Sequence, residues 1–249
     1  MMGMASQMMG PPRFDVRHDA SPPDTLVMGM AEFGLAGLTA VEYLVDTFDL
    51  EETGHIATEG LPAITPFENG TPRHHTRLFS GREDFAVLVG ELFVPLGATR
   101  QFADAIAEWL STNDVSVVTS LSGVPVAHGP DDHVAYYVAS EDYRAARLTD
   151  SEIRPMGRGF LEGVNAELMQ QAIDTETKVG VLTTPVHPRA PDVEAAIRLL
   201  EAFASVYDVS LDTGPLEQFA AEVEQHYQEL AERMERVAEE SAPEDRMYM

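Results

Sequence analysis

The chain contains no cysteine, which excludes disulfides and thiolate metal sites. Lysine is almost absent: Lys178 is the only one, and the other basic side chains are arginines. Those arginines form no stripe or cluster of the kind that tracks a phosphate backbone, so nucleic acid is excluded as a partner. No apolar run approaches the roughly 18–20 residues needed to span a bilayer, so no membrane partner is expected. Residues Met1 to Pro12 are rich in Met and Gly and have neither the charged nor the apolar region of a signal peptide, which predicts a cytoplasmic protein.

What the chain has in excess is acid. Forty-two Asp and Glu against 16 Lys and Arg give a formal charge of −26 over 249 residues. Charge of this size speaks to solubility and partners rather than to fold. Combined with the near-absence of lysine, it reads as a surface adapted to concentrated salt, where a Debye length of roughly 3 Å at 1 M screens self-repulsion. Hydrophobic residues make up 44% of the chain, enough for a substantial core in one α/β domain.

Residues 1–23, with Pro11, Pro12, Pro22 and Pro23 and little apolar periodicity, read as a flexible arm. Ordered structure is expected from Thr25, where Leu26–Met30 forms a short apolar run. Three more such runs follow at Phe85–Val89, Val115–Leu121 and Lys178–Thr184. None alternates with period two, as strands covered on both faces do not. Between them, helical spacing appears at Leu35 to Phe48, Ala98 to Leu110, Gly159 to Ile173 and from Pro191 onward, with Pro191 placed at the first helical position. Shorter extended pieces are expected at His55–Thr58, Thr76–Ser80 and Val134–Val138, and a turn at Glu68-Asn69-Gly70. Alternating strands and helices over 24–214 predict a mostly parallel or mixed sheet flanked by helices.

The end of the chain differs. From Pro215 to about residue 240, Leu216, Val223, Leu230 and Val237 recur every seven residues, with Ala220, Tyr227 and Met234 as a second row. This predicts a long amphipathic helix. Its narrow seam, including Leu216, Val223, Tyr227, Leu230, Met234 and Val237, suits a subunit contact or packing on the sheet. Residues 241–249 then leave the helix as a polar tail ending Met247-Tyr248-Met249.

Four segments in order resemble the archaeal branch of the proteasome assembly chaperone 2 (PAC2) family. They are Leu26–Gly37 running into Tyr43-Leu44, Arg158–Leu168, Pro191–Leu200, and Val209–Thr213 followed by Leu216-Glu217. The resemblance covers about residues 25–240. It implies a phosphorylase-like α/β fold, homo-oligomers (trimer or tetramer) and a role around the 20S proteasome. One departure is Met30-Ala31-Glu32, where the family more usually has an aromatic residue, proline and glycine. In that setting Met247-Tyr248-Met249 matches the hydrophobic–Tyr–any-residue (HbYX) tail with which proteasome activators and some archaeal assembly chaperones enter pockets between α-ring subunits. The implied partner is the 20S α-ring or its α subunits, with these three residues as the contact. Assembly and activation of the particle are not separated by the tail.

Other constellations have plainer explanations. Gly29, Gly34 and Gly37 lack the Gly-Lys-Ser/Thr of a P-loop and suit a tight strand–helix turn. His128, Asp131, Asp132 and His133 resemble a metal cluster, but Gly129-Pro130-Asp131-Asp132 reads as a turn, and no metal or other cofactor is expected. Ser122-Gly123 is not a nucleophile elbow. Glu91 reads as a solvated charge at a strand end. A small-molecule enzyme on the same fold remains the alternative, yet no catalytic residues can be assembled.

Overall fold

Between Pro12 and Pro22, apolar and charged residues alternate through Phe14-Asp15-Val16-Arg17, and Arg13–His18 forms a strand, β1, half-buried on one side and exposed on the other. The computed structural model describes residues 11–127, 129, 132–187 and 191–218. A flexible arm over 1–23 is therefore corrected at 13–18. Period-two patterning, with Phe14 set edge-on against Phe102 (5.1 Å between ring centres), outweighs the flanking prolines.

The remaining elements, in chain order, are β2 (Thr25–Met30), α1 (Ala36–Thr47), β3 (Glu51–Glu59), β4 (Phe67–Glu68), β5 (Thr71–Pro72), β6 (Thr76–Ser80), β7 (Ala86–Gly90) and α2 (Thr99–Thr112). They continue with β8 (Val117–Val124), β9 (Tyr136–Ala139), α3 (Glu141–Arg147), β10 (Arg154–Pro155), α4 (Gly163–Asp174), β11 (Lys178–Pro185) and α5 (Val193–Tyr207). Among the described residues, nine strands form one sheet in the order β1-β3-β6-β7-β2-β8-β11-β9-β10. The middle four, β7-β2-β8-β11, run parallel; antiparallel pairings continue the sheet through β6, β3 and β1 on one side and to β9 on the other, where β10 lies parallel to β9. β4 and β5 form a separate hairpin at the expected Glu68-Asn69-Gly70 turn. The mixed α/β fold is as the sequence predicts, and all four apolar runs are strands.

Helices cover both faces. α1 and α5 pack on each other and on one side of the central strands, while α2 and α4 pack on each other on the opposite side. On the α2/α4 side Phe102, Ile106, Trp109, Val164 and Leu168 meet Leu26, Met28, Leu88 and Val118. At roughly 25 cal/mol per Å², each fully buried side chain of this size contributes about 1.5–3 kcal/mol. On the other side Thr119 of β8 bonds the hydroxyls of both Tyr143 (2.8 Å) and Tyr207 (2.6 Å), so the polar groups buried there are paired.

Three boundaries move for physical reasons. β8 continues through Ser122-Gly123 to Val124, because both residues stay in parallel register with Thr183 and Thr184. α4 begins at Gly163 rather than Gly159: Gly163 has a left-handed φ of 65°, which breaks any earlier helical turn. Pro191 precedes the helix instead of opening it, because Asp192 caps α5 by accepting from the Ala195 N–H (2.9 Å). The chain divides into a unit ending at Leu211 and a second from Asp212. In the second, 214–218 are helical, and Thr213 accepts from the backbone of Leu216 and Glu217. The rest of the expected helix, including Val223, Tyr227, Leu230, Met234 and Val237, lies outside the described residues.

Candidate functional site

Because β7, β2, β8 and β11 are parallel, their carboxyl ends share one edge, where open α/β sheets hold ligands. The chain leaves β2 through a single 3-10 turn, Phe33–Leu35, with Gly34 at φ 69°. Gly37 then brings the first turn of α1 against the backbone of β8. A Cβ at Gly37 would lie 1.9 Å from the Leu121 carbonyl oxygen, and one at Gly29 would lie 2.1 Å from that of Gly37. The glycine spacing is thus a close-packing device.

This turn places the Glu32 carboxylate inside the edge. Ser122 Oγ donates to it at 2.5 Å, and Asn165 Nδ2, from the first turn of α4, approaches both of its oxygens at 3.4 and 3.5 Å. Burial pushes the Glu32 carboxyl above its ordinary range, and the Ser122 hydroxyl holds back part of that rise. Asn165 is itself buried, and its Oδ1 has no hydrogen-bond partner among the described residues. A neutral Glu32 carries a proton to give. A half-turn of the amide would bring Oδ1 to accept it. The network ties together the exits of β2 and β8 and the start of α4.

Two further ionic groups flank it. Glu91 is not the solvated charge expected from sequence: its side chain is 17% exposed and is held by Arg73 (3.1 Å) and Arg77 (3.4 Å). Arg77 sits on β6 beside the β7 end, so the carboxylate meets paired guanidinium groups before it reaches water. Burial and the nearby Glu91 charge push Glu42 on α1 up, against the pull of Arg73 and Arg77. Across the edge, His187 donates its backbone N–H to Asp192 Oδ2 and sets its ring Nδ1 2.9 Å from the same oxygen. Burial would raise the Asp192 carboxyl, but these bonds and the Ala195 N–H hold it below its usual range.

Chemically the arrangement favours holding segments in place over turning over a substrate. The Ser122 hydroxyl spends its hydrogen on Glu32 rather than on a histidine base, and the glycine turn cradles backbone, not phosphate. Asp132 closes a turn by accepting from the Gly129 N–H (3.0 Å), while His128 and Asp131 lie outside the described residues. Among the described residues no three metal-binding side chains converge. Met247, Tyr248 and Met249, the contact residues expected from sequence, also lie outside them. Sequence reasoning missed the Glu32–Ser122–Asn165 network. Its signal was an acid directly after a buried strand, at the one turn that departs from the family pattern.

Segments next to this network also carry exposed apolar side chains. Phe33 is 57% exposed, Phe93 and Leu96 in the loop after β7 are 68% and 73% exposed, and Phe160 before α4 is 98% exposed.

A mixed nine-stranded sheet with helices on both faces and a glycine-packed first crossover defines the class of protein. The PAC2 family model matches residues 26–231, and the chain belongs to that family. Among solved structures, it resembles PbaA of Pyrococcus furiosus, described as an archaeal homolog of proteasome-assembly chaperone. The TM-score is 0.80 at 20% identity, covering 93% of this chain and 96% of PbaA. PbaB of the same organism, described as an archaeal proteasome activator, superposes with a TM-score of 0.72 at 14% identity, over 88% of this chain and 99% of PbaB. A protein of Methanocaldococcus jannaschii is 23% identical over 217 residues, 87% of this chain and 89% of the relative. Among the described residues no helix is long and apolar enough to cross a membrane.

Proposed function

We propose that this chain is a non-enzymatic assembly chaperone or adaptor of the 20S proteasome. In this reading it docks on α subunits or the α-ring through Met247, Tyr248 and Met249, and it works as a cytoplasmic homo-oligomer, a trimer or tetramer. The observation that carries the reading is membership of the PAC2 family together with the likeness to PbaA over nearly the whole of both chains. The chemistry of the three residues is suited to the task. The Tyr248 ring can fill apolar space while its hydroxyl finds a partner, and a carboxylate after it can pair with a basic group. Burying Tyr248 and Met247 offers about 1.5–3 kcal/mol each before ordering costs, so one tail is a weak ligand. Several tails on one oligomer would gain roughly 10²–10⁴ in avidity if their spacing matched the ring. A second reading, activation of the mature particle, is favoured by the likeness to PbaB.

Tyr248→Ala should abolish binding to 20S particles and to isolated α-rings, measured by surface plasmon resonance, while leaving the oligomer and its melting temperature unchanged. Residues added after Met249 should weaken binding nearly as much by displacing the carboxylate. If both variants bind like the parent, this tail is not the docking element. Preference for free α subunits over complete particles favours assembly; stimulated peptide hydrolysis by complete particles favours activation.

A further inference from the structure

Residues 60–75 join β3 to β6, and their ties to the sheet gather at the return end. Arg73 donates to Glu91 Oε1 (3.1 Å), and the His75 carbonyl accepts from the Glu91 N–H (2.7 Å). Between these two anchors the exposed His74 ring reaches back and stacks on His55 of β3. The ring centres are 3.6 Å apart and the planes 2° from parallel. At that separation no solvent ion fits between the rings, so salt screens their interaction less than it screens exposed charges. Neutral imidazoles can stay in such contact, whereas two imidazolium rings repel.

The neighbours of His55 also disfavour charge. Residues directly opposite in an antiparallel sheet share a face. His55 is opposite Arg17 on β1 and opposite Arg77 on β6, so it stands between two arginines in one cross-strand row. A proton on His55 would put three cations in that row, beneath His74. The acids that face it are Asp15 and Glu52; Asp15 already bonds Arg17 (3.0 Å), as Glu91 bonds Arg77 (3.4 Å). Burial, then His74 and Arg17, hold His55 below its ordinary 6.5 against the pull of Glu52 and Asp15. Burial, His74 and His55 do the same for His75, whose Nδ1 lies 2.9 Å from Thr76 Oγ1. We propose that the His55–His74 stack is a proton-operated latch, closed while its rings are neutral and opened as the pair takes up protons, which frees residues 60–75 from β3 while the sheet stays paired. The closed form binds fewer protons than the open one. It is therefore fully favoured above the ordinary histidine value of 6.5 and yields as pH falls below it.

Hydrogen–deuterium exchange of the full chain at molar KCl reads the latch directly. Corrected for the intrinsic pH dependence of exchange, protection of the amides in 60–75 should fall roughly ten-fold between about pH 8 and about pH 5, while β2 and β8 keep theirs. His74→Phe leaves a ring that can stack but cannot charge. It should hold its protection over the same range to within about two-fold, and His55→Phe, followed in parallel, should behave alike. In proton NMR, with the His55 resonance identified by its loss in His55→Phe, His74→Phe should raise the midpoint of His55, because a like charge has gone. Flat protection in the parent overturns the proposal. So does an equal fall in His74→Phe, which would place the titration elsewhere. An unmoved His55 midpoint overturns it as well, since the two rings would not sense each other. Two phenylalanine variants left unprotected at every pH would do the same, because a neutral stack would then not be what holds the segment.

Discussion

Glu32 is a carboxyl placed where a carboxylate is costly. Its ordinary pKa of 4.5 is raised by burial, and its hydrogen-bond partners are one hydroxyl and one amide, with no cation among them. A carboxyl whose folded pKa lies above its unfolded value contributes stability that is complete below about pH 4.5 and is lost as pH rises through the folded pKa. Glu32→Gln keeps the shape and cannot ionise. Measured as a difference in melting temperature from the parent, its advantage should be small near pH 4.5 and should grow towards neutral pH, where the parent alone carries the ionisation cost. A variant less stable than the parent at neutral pH would mean that the ionised Glu32 is held by stronger donation than Ser122 and Asn165 provide. Because Glu32 was visible in the sequence only as a departure from a turn pattern, this role was not legible there. It depends on Ser122 and Asn165, 90 and 133 residues away, and no local pattern encodes such a meeting.

At the scale of elements, the crossover from β2 to α1 is the tightest joint. Gly37→Ala puts a methyl into the Leu121 carbonyl, so α1 must lift from the sheet at its first turn, where Gly37 and Val41 close over Gly29 of β2. Overpacking of this kind costs about 1–3 kcal/mol, which should appear as a lower urea midpoint with an unchanged slope. Gly97→Ala, where a Cβ meets nothing within 4 Å, is the control and should stay within about 0.5 kcal/mol of the parent. Equal midpoints for the two variants would remove close packing as the reason for Gly37. The central strands β2, β7, β8 and β11 were legible because burial on both faces leaves mainly apolar runs without period-two alternation. α2 was legible because Phe102, Ile106, Trp109 and Leu110 fall on one stripe and are all buried. β1 and α3 were not. β1 is an edge strand whose exposed face is Arg13, Asp15 and Arg17, and its flanking prolines outweighed four alternating residues. α3 is seven residues anchored chiefly by Tyr143, which lies flat against Gly180, and a single anchor makes no period.

At the scale of the whole molecule, charge opposes folding. Sixteen cationic side chains cannot neutralise 42 acids, and several arginines are already committed: Arg73 and Arg77 to Glu91, Arg82 to Asp84, Arg100 to Glu167. The more exposed of these, Arg82–Asp84 and Arg100–Glu167, are worth about 0–1 kcal/mol each, so pairing does not offset the excess. What remains is repulsion among like charges, which compaction brings closer and unfolding relieves. Its range is set by solvent ions: the Debye length is about 10 Å at 0.1 M and about 3 Å at 1 M, shorter than most distances between acids on a folded surface. The melting temperature should therefore climb steeply with KCl over this interval and flatten once screening is complete. A neutral osmolyte such as sucrose, which strengthens burial without screening, should raise it only gradually and without that plateau. A melting temperature flat across the KCl series would show that the acidic surface is not what sets stability in this chain.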